Sequence, residues 1–183
     1  MKEETREITI DKNKVKVDIQ IFEKKDAKKL KTLYKLWIPL NKGMKLFKAR
    51  GINLPEGISE SAFCIHFNGK YARALKVSKG HGSFDVINLK TCETIQIKAS
   101  SVEEDLTSFG PRSIWDKLYF LDFHRQDGTF DVYLIPNKKI YSQKTSKNQT
   151  FRDMQKQGKR PRFSIKKEII IKNKIKPLKT CKL

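Results

Sequence analysis

Asp85, Gln96 and Lys98 are the residues whose types and spacing best suit chemistry. They lie in "SFDVINLKTCETIQIKAS", residues 83–100, with ten residues between the aspartate and the glutamine. Side chains alternate along a strand, so Gln96 and Lys98 share one face while Ile97, with Ile95 near it, takes the other. Mid-strand lysines are usually solvated, so one turned inward on an apolar strand needs a partner or a task. If the Asp85 run pairs with the Gln96 run, the carboxylate approaches the Gln96/Lys98 face at one end of a sheet. Two oxygen donors there suit Mg²⁺, a hard cation that keeps several of its waters. An ammonium beside them orients or deprotonates a water and offsets charge developing on phosphorus. Lysine suits that role better than arginine, because its pKa moves readily on partial burial. The spacing points to phosphodiester hydrolysis.

Two strands, Ser83–Lys90 and Glu93–Ala99, around a tight Thr91-Cys92 turn would hold these residues. "KLYFLDF" and "TFDVYLIP" form a second pair, joined by the hairpin signal "RQDG". Upstream, "KVKVDIQIF" alternates Val15, Val17, Ile19 and Ile21 and predicts a strand with one buried face. "DAKKLKTLYKLW" spaces Leu30, Leu33, Tyr34 and Trp37 as a core-facing helical stripe, with Asp26 as N-cap and Pro39 ending or kinking the helix. A second helix is expected from near Pro55 to near Gly69, with Glu56 and Glu60 four apart on one face. Asn148 is placed to cap a short helix "QTFRDMQKQ" that Gly158 closes. Beyond it, "KRPRFSIKKEIIIKNKIKPLK" is basic, with an Ile-rich strand or helix inside. Trp115, Phe120 and Phe123 read as core. Helix, hairpin, hairpin, helix is the order of an α/β (α+β) fold with a central mixed β-sheet flanked by helices.

The 183 residues suit one domain, with N-terminal elements over 1–49, a core over 50–171 and a basic tail over 172–183. Lys and Arg number 40 against 20 Asp and Glu, a net charge of +20 that suits a polyanionic partner. Lysine richness from an AT-rich coding sequence accounts for part of this without removing the charge. Cys64, Cys92 and Cys181 are too few and too scattered for a disulfide framework or a zinc cluster, which points to a reducing cytosol. The N-terminus has no apolar signal core, and no run approaches a membrane span. A soluble cytoplasmic protein is expected, with no membrane partner and no organic cofactor.

Duplex affinity comes largely from phosphate contacts, whereas sequence is read at base edges, most often by arginine on guanine. With only eight arginines in the chain, Arg112 in "TSFGPRS" and Arg160 and Arg162 in "GKRPRFS" stand out, each in a rigid Gly/Pro loop. Both loops, including Ser108 and Lys159, are expected to contact DNA; the bland alternative is solvated loop charge. Lys156, Lys159, Lys166 and Lys167 are expected to be backbone contacts or solvent-facing.

The Asp…Gln-x-Lys pattern resembles that of the PD-(D/E)xK nuclease superfamily. Gly82-Ser83-Phe84-Asp85 replaces the Pro-Asp pair, and Gln96 stands where glutamate is commonest; a neutral amide ligand implies weaker metal affinity. Members often bring a further acid from a preceding helix, the place Glu60 takes here. "GINLPEGISESAFC", "GSFDVINLKTCETIQIKASSVEEDLTSFGPRSIWDKLYFLDF", "DGTFDVYLIP" and "TFRDMQKQGKRPRFSIKKEII" resemble, over about residues 50–171, a family of small type II restriction endonucleases that cut palindromes of the GC-N-GC type. The resemblance implies Asp85, Gln96 and Glu60 as metal ligands, Lys98 acting on the water, Mg²⁺ as cofactor, double-stranded DNA as partner, and a homodimer in which each subunit cuts one strand. Two other readings compete: a structure-specific nuclease of the same fold, and a non-catalytic nucleic-acid-binding module in which Lys98 is a phosphate contact and Asp85 a turn cap. A peripheral membrane role fits poorly, since the basic residues are spread along the chain and no segment shows a strongly apolar face.

Overall fold

Val15, Val17 and Ile19 are fully buried, as their alternation requires. Their strand, however, is one arm of a longer pair at the start of the chain: β1 (Lys2–Ile10) and β2 (Asn13–Ile21). The computed structural model describes residues 1–10, 13–48, 52–78, 84–103, 105–146 and 148–183. Next come α1 (Asp26–Leu46), α2 (Glu56–His66), β3 (Tyr71–Val77), β4 (Val86–Asn88), β5 (Thr94–Ser100) and β6 (Thr107–Ser108). They are followed by β7 (Lys117–Asp122), β8 (Thr129–Ile135), α3 (Asn137–Tyr141), β9 (Lys144–Ser146), β10 (Gln149–Thr150) and α4 (Phe151–Lys156). The chain closes with β11 (Arg162–Phe163), a π-helical turn over Lys166–Ile171 and β12 (Lys179–Lys182).

Eight of the strands form one mixed sheet in the order β1-β2-β3-β4-β5-β7-β8-β12. Every neighbouring pair is antiparallel except β5 and β7, which run parallel. A parallel step needs a long crossover rather than a tight turn. Here that crossover is residues 101–116, which contain β6 and the "TSFGPRS" loop. On one side of the sheet, Val86, Ile95, Ile97, Tyr119 and Leu121 pack with Leu30, Tyr34 and Trp37 of α1 and Ala62 and Phe63 of α2. A second core gathers Leu118 and Phe120 with Phe109, Trp115, Phe151, Phe163 and Ile169. The α/β architecture with a central mixed sheet and flanking helices is as expected, and Trp115, Phe120 and Phe123 are core.

Several local expectations differ. α1 runs on through Pro39 to Leu46, because the hydrogen bond a proline forfeits frees only the carbonyl of exposed Lys35, which water can reach. Asp26 is the first helical residue, not the cap, and its carboxylate accepts the Glu23 N–H at 3.0 Å. Leu30, Tyr34 and Trp37 are buried, but Leu33 is 55% exposed. The short helix α4 is capped by Thr150 rather than Asn148, in a reciprocal box with Asp153. β1, β3 and β12 carry no expectation from the sequence.

Candidate active site and DNA-facing ribbon

The β4–β5 hairpin is set by Asn88. Its side-chain oxygen accepts the N–H groups of Lys90 (3.0 Å) and Thr91 (3.3 Å), while Cys92 turns the chain at φ 59°. The resulting register pairs Val86 with Ile95 and Ile87 with Thr94. Asp85 lies one residue outside β4, its N–H on the Ile95 carbonyl at 3.0 Å. Its carboxylate therefore meets the start of β5: Oδ2 accepts the Ile97 N–H at 2.8 Å and the side-chain amide of Gln96. The expected approach of Asp85 to Gln96 is present in the structure. Gly82 and Ser83, quoted with it above, lie outside the described residues.

Gln96 spends its amide nitrogen on Asp85, which leaves Oε1 buried with no hydrogen-bond partner among the described residues. An acceptor oxygen in that state costs on the order of 1–3 kcal/mol unless something positive meets it. A hard cation is the simplest candidate, and the Asp85 carboxylate beside it supplies the countercharge. Glu60, 7% exposed on α2, is a second buried carboxyl close enough for its charge to be felt at Asp85. Glu56, one turn earlier, is exposed and faces the cleft that Lys98 lines, whereas Glu60 is buried. Among the described residues no three His, Cys, Asp or Glu side chains form a metal cluster; the set here is two carboxylates and an amide.

Electrostatics tie the two acids and the lysine together. Burial, then the charge of Glu60, pushes the Asp85 carboxyl up to about 7, and Lys98 opposes them. Burial likewise raises Glu60, against the pull of Arg73, whose Nε donates to Glu60 Oε2 at 2.5 Å. Both carboxylates thus sit in surroundings that resist negative charge, the condition a bound cation reverses. Arg73, on β3, was missed by the sequence reading; with no strand expected there, nothing marked it as facing α2.

Lys98 is half-buried on β5, in register with Phe120 of β7, and its Nζ lies 5.6 Å from the centroid of the Phe109 ring. Lys98, Glu56, Ser59, Ser101 and Ser108 line a cleft of about 270 Å³. The two loops singled out for DNA meet at one edge of this cleft. Arg162 of β11 pairs with Ser108 of β6, and the Phe109 N–H donates to the Pro161 carbonyl at 3.1 Å. Asp105 pins them, accepting Thr107 Oγ1 (2.8 Å), the N–H groups of Ile165 (3.0 Å) and Lys166 (3.2 Å), and the Ser164 hydroxyl. Gln155 of α4 clamps the crossover through the carbonyls of Gly110 and Ser113. A side chain at Gly110 would come within 2.5 Å of Ser113 Oγ, so the serine would have to turn aside to admit one.

Arg112, Lys159, Arg160 and Arg162 are all exposed, and Ser108 keeps a buried hydroxyl without a hydrogen-bond partner among the described residues. One expectation fails here. Lys166 is not solvent-facing: its Nζ holds Asp122, which is 2% exposed, at 2.8 Å and anchors the π-helical turn to the sheet.

The Bsp6I restriction endonuclease family model matches residues 22–172. A type II restriction enzyme, Bsp6I from Bacillus sp. (strain RFL6), is 40% identical over 167 residues, covering 90% of this chain and 89% of its own. No solved structure matches significantly. On the family match and on this identity, the chain belongs to the Bsp6I restriction endonuclease family.

Proposed function

We propose that this chain cuts double-stranded DNA at a short palindromic site, with Asp85, Gln96, Glu60 and Lys98 as its hydrolytic centre and Mg²⁺ as its ion. As a member of its family it is a type II restriction endonuclease, a site-specific deoxyribonuclease. The observation that carries the assignment of the centre is the bare Oε1 of Gln96 beside the Asp85 carboxylate. Those two oxygens, with Glu60, are the donors for the cation, which supplies Lewis-acid polarisation of the phosphodiester when bound. Lys98 orients the attacking water, takes up its proton or offsets charge on the phosphoryl oxygens as it develops. Arg73 keeps Glu60 aligned through its 2.5 Å bond.

Arg112, Arg160 and Arg162 are read as base-edge contacts, Lys159 as a phosphate contact, and Ser108 as a polar contact within the ribbon. A homodimer accounts for cutting both strands of a symmetric site. Support for a second copy comes from exposed Leu33, Leu36 and Leu40 of α1, one helical row along a groove of about 580 Å³. The chain is read as one functional domain over 1–183, which the sheet running from β1 to β12 supports. A cytoplasmic site of action is supported by three unpaired cysteines and a DNA substrate. Among the described residues no helix is long and apolar enough to cross a membrane.

The test is digestion of a sequenced plasmid with Mg²⁺ and with EDTA. Discrete fragments in the Mg²⁺ lane alone, with ends at one sequence, support the reading. Cleavage governed by junctions or ends rather than sequence, or tight binding without cutting, counts against it.

A further inference from the structure

We propose that Phe109 is a positioning residue for Lys98, so that the ribbon facing DNA also sets the hydrolytic lysine; this rests on the nuclease reading above. Lys98 Nζ stands over the Phe109 ring at 5.6 Å from its centroid, within the distance at which an aromatic face attracts an ammonium. The charge of that ammonium is felt by both Asp85 and Glu60, so the ring holds it within reach of the acidic centre.

The ring itself is immobilised. Phe109 is 1% exposed, stacked on Phe163 at 5.8 Å and 18°, and met edge-on by Phe151 at 5.0 Å and 79°. Both neighbours belong to the segment that carries Arg160 and Arg162. Its backbone lies in the ribbon, bonded to Pro161 and flanked by Ser108, which faces Arg162 across the two strands. Three residues further along the same loop comes exposed Arg112. A rearrangement of the ribbon on DNA therefore passes to Lys98 through one side chain. Buried leucine at 109 would fill much of the same space but present no negative ring face.

The experiment replaces Phe109 in the full chain with mono-, di- and trifluorophenylalanine, which keep the ring's shape while progressively removing its negative face. Single-turnover cleavage of a cognate duplex is measured with Mg²⁺, and affinity for the same duplex in EDTA. The expected result is a stepwise fall in rate, roughly two- to thirtyfold across the series, with affinity unchanged. Phe109→Leu should match the slowest fluorinated variant. A rate that stays flat across the series, or a loss confined to affinity, overturns the proposal. If fluorinated chains do not fold, Phe109→Leu decides it: cutting at the wild-type rate overturns the positioning role. A wild-type protein that does not cut at all overturns the nuclease reading together with this one; a wild type that cuts with a flat series overturns this one alone.

Discussion

The side-chain amide of Gln96 donates to the Asp85 carboxylate, and in doing so turns its own oxygen toward a place where no described residue meets it. Glutamate at 96 would put two carboxylates against each other. Without metal they repel; with metal they form a better pair of hard ligands. Gln96→Glu is expected to lower the Mg²⁺ concentration for half-maximal cleavage and to lower the melting temperature in EDTA. Gln96→Leu should raise the metal requirement sharply. Metal titrations of cleavage rate, alongside thermal unfolding in EDTA, check both.

Lys98→Ala should abolish cutting while leaving duplex affinity within a few-fold of wild type, since one phosphate contact among many is a small part of the binding free energy. Gel-shift in EDTA and cleavage in Mg²⁺, run on the same preparation, separate the two. A marked loss of affinity with cleavage per bound complex intact would make Lys98 a phosphate contact.

Arg73 is the cation of a pair whose acid is almost fully buried, and removing it strands the Glu60 carboxylate. Arg73 itself is 29% exposed, so Arg73→Ala should cost about 3 kcal/mol, the low end for breaking a buried pair. Glu60, already raised by burial, would rise further without its main opposing partner. Chemical denaturation of the two proteins measures the difference, and Arg73→Lys should recover part of it.

Protons compete with metal at Asp85. Its carboxyl is raised from the ordinary 3.8 to about 7 in the metal-free fold, so binding a cation below that pH must expel a proton. Affinity for Mg²⁺ should fall by up to about tenfold per unit as pH drops from 7 toward 5, from this group alone. Stability runs the opposite way: without metal, the contribution of Asp85 is most favourable below the unfolded value and is lost as pH rises through about 7. Calorimetry in buffers of different ionisation enthalpy counts the released proton directly.

Exposed arginines of the ribbon should differ from its lysine in kind. Arg162→Ala is expected to relax discrimination at one base pair by about 1–3 kcal/mol. Lys159→Ala should weaken all sequences alike and reduce the salt slope by about one. Competition against single-base variants of the site at two salt concentrations distinguishes these outcomes.

The sequence carried the hairpin that brings Asp85 to Gln96, because a period-two pattern broken at Thr91-Cys92 admits little else. It also carried α2 and the inward placement of a carboxylate there, though not which of Glu56 and Glu60 it is. That choice depends on Arg73, which lies on a strand, β3, whose short mixed pattern gave no signal. The joining of "TSFGPRS" to "GKRPRFS" was equally hidden, since two residue pairs between β6 and β11 leave no periodicity to find. Asp105 fixes that joint from some sixty residues away, a contact invisible to any local window. Leu33 misled for a plainer reason: helical spacing marks a stripe but not whether the chain's own core covers all of it.

The most direct test sets Asp85→Ala against wild type on one duplex bearing the mapped site. Binding is followed in EDTA and strand cleavage after adding Mg²⁺. The account predicts near-equal binding, wild-type cleavage of both strands at fixed positions, and no cleavage by the variant. Cleavage by Asp85→Ala at the wild-type rate would contradict the assignment of the centre to the Asp85, Gln96 and Lys98 hairpin.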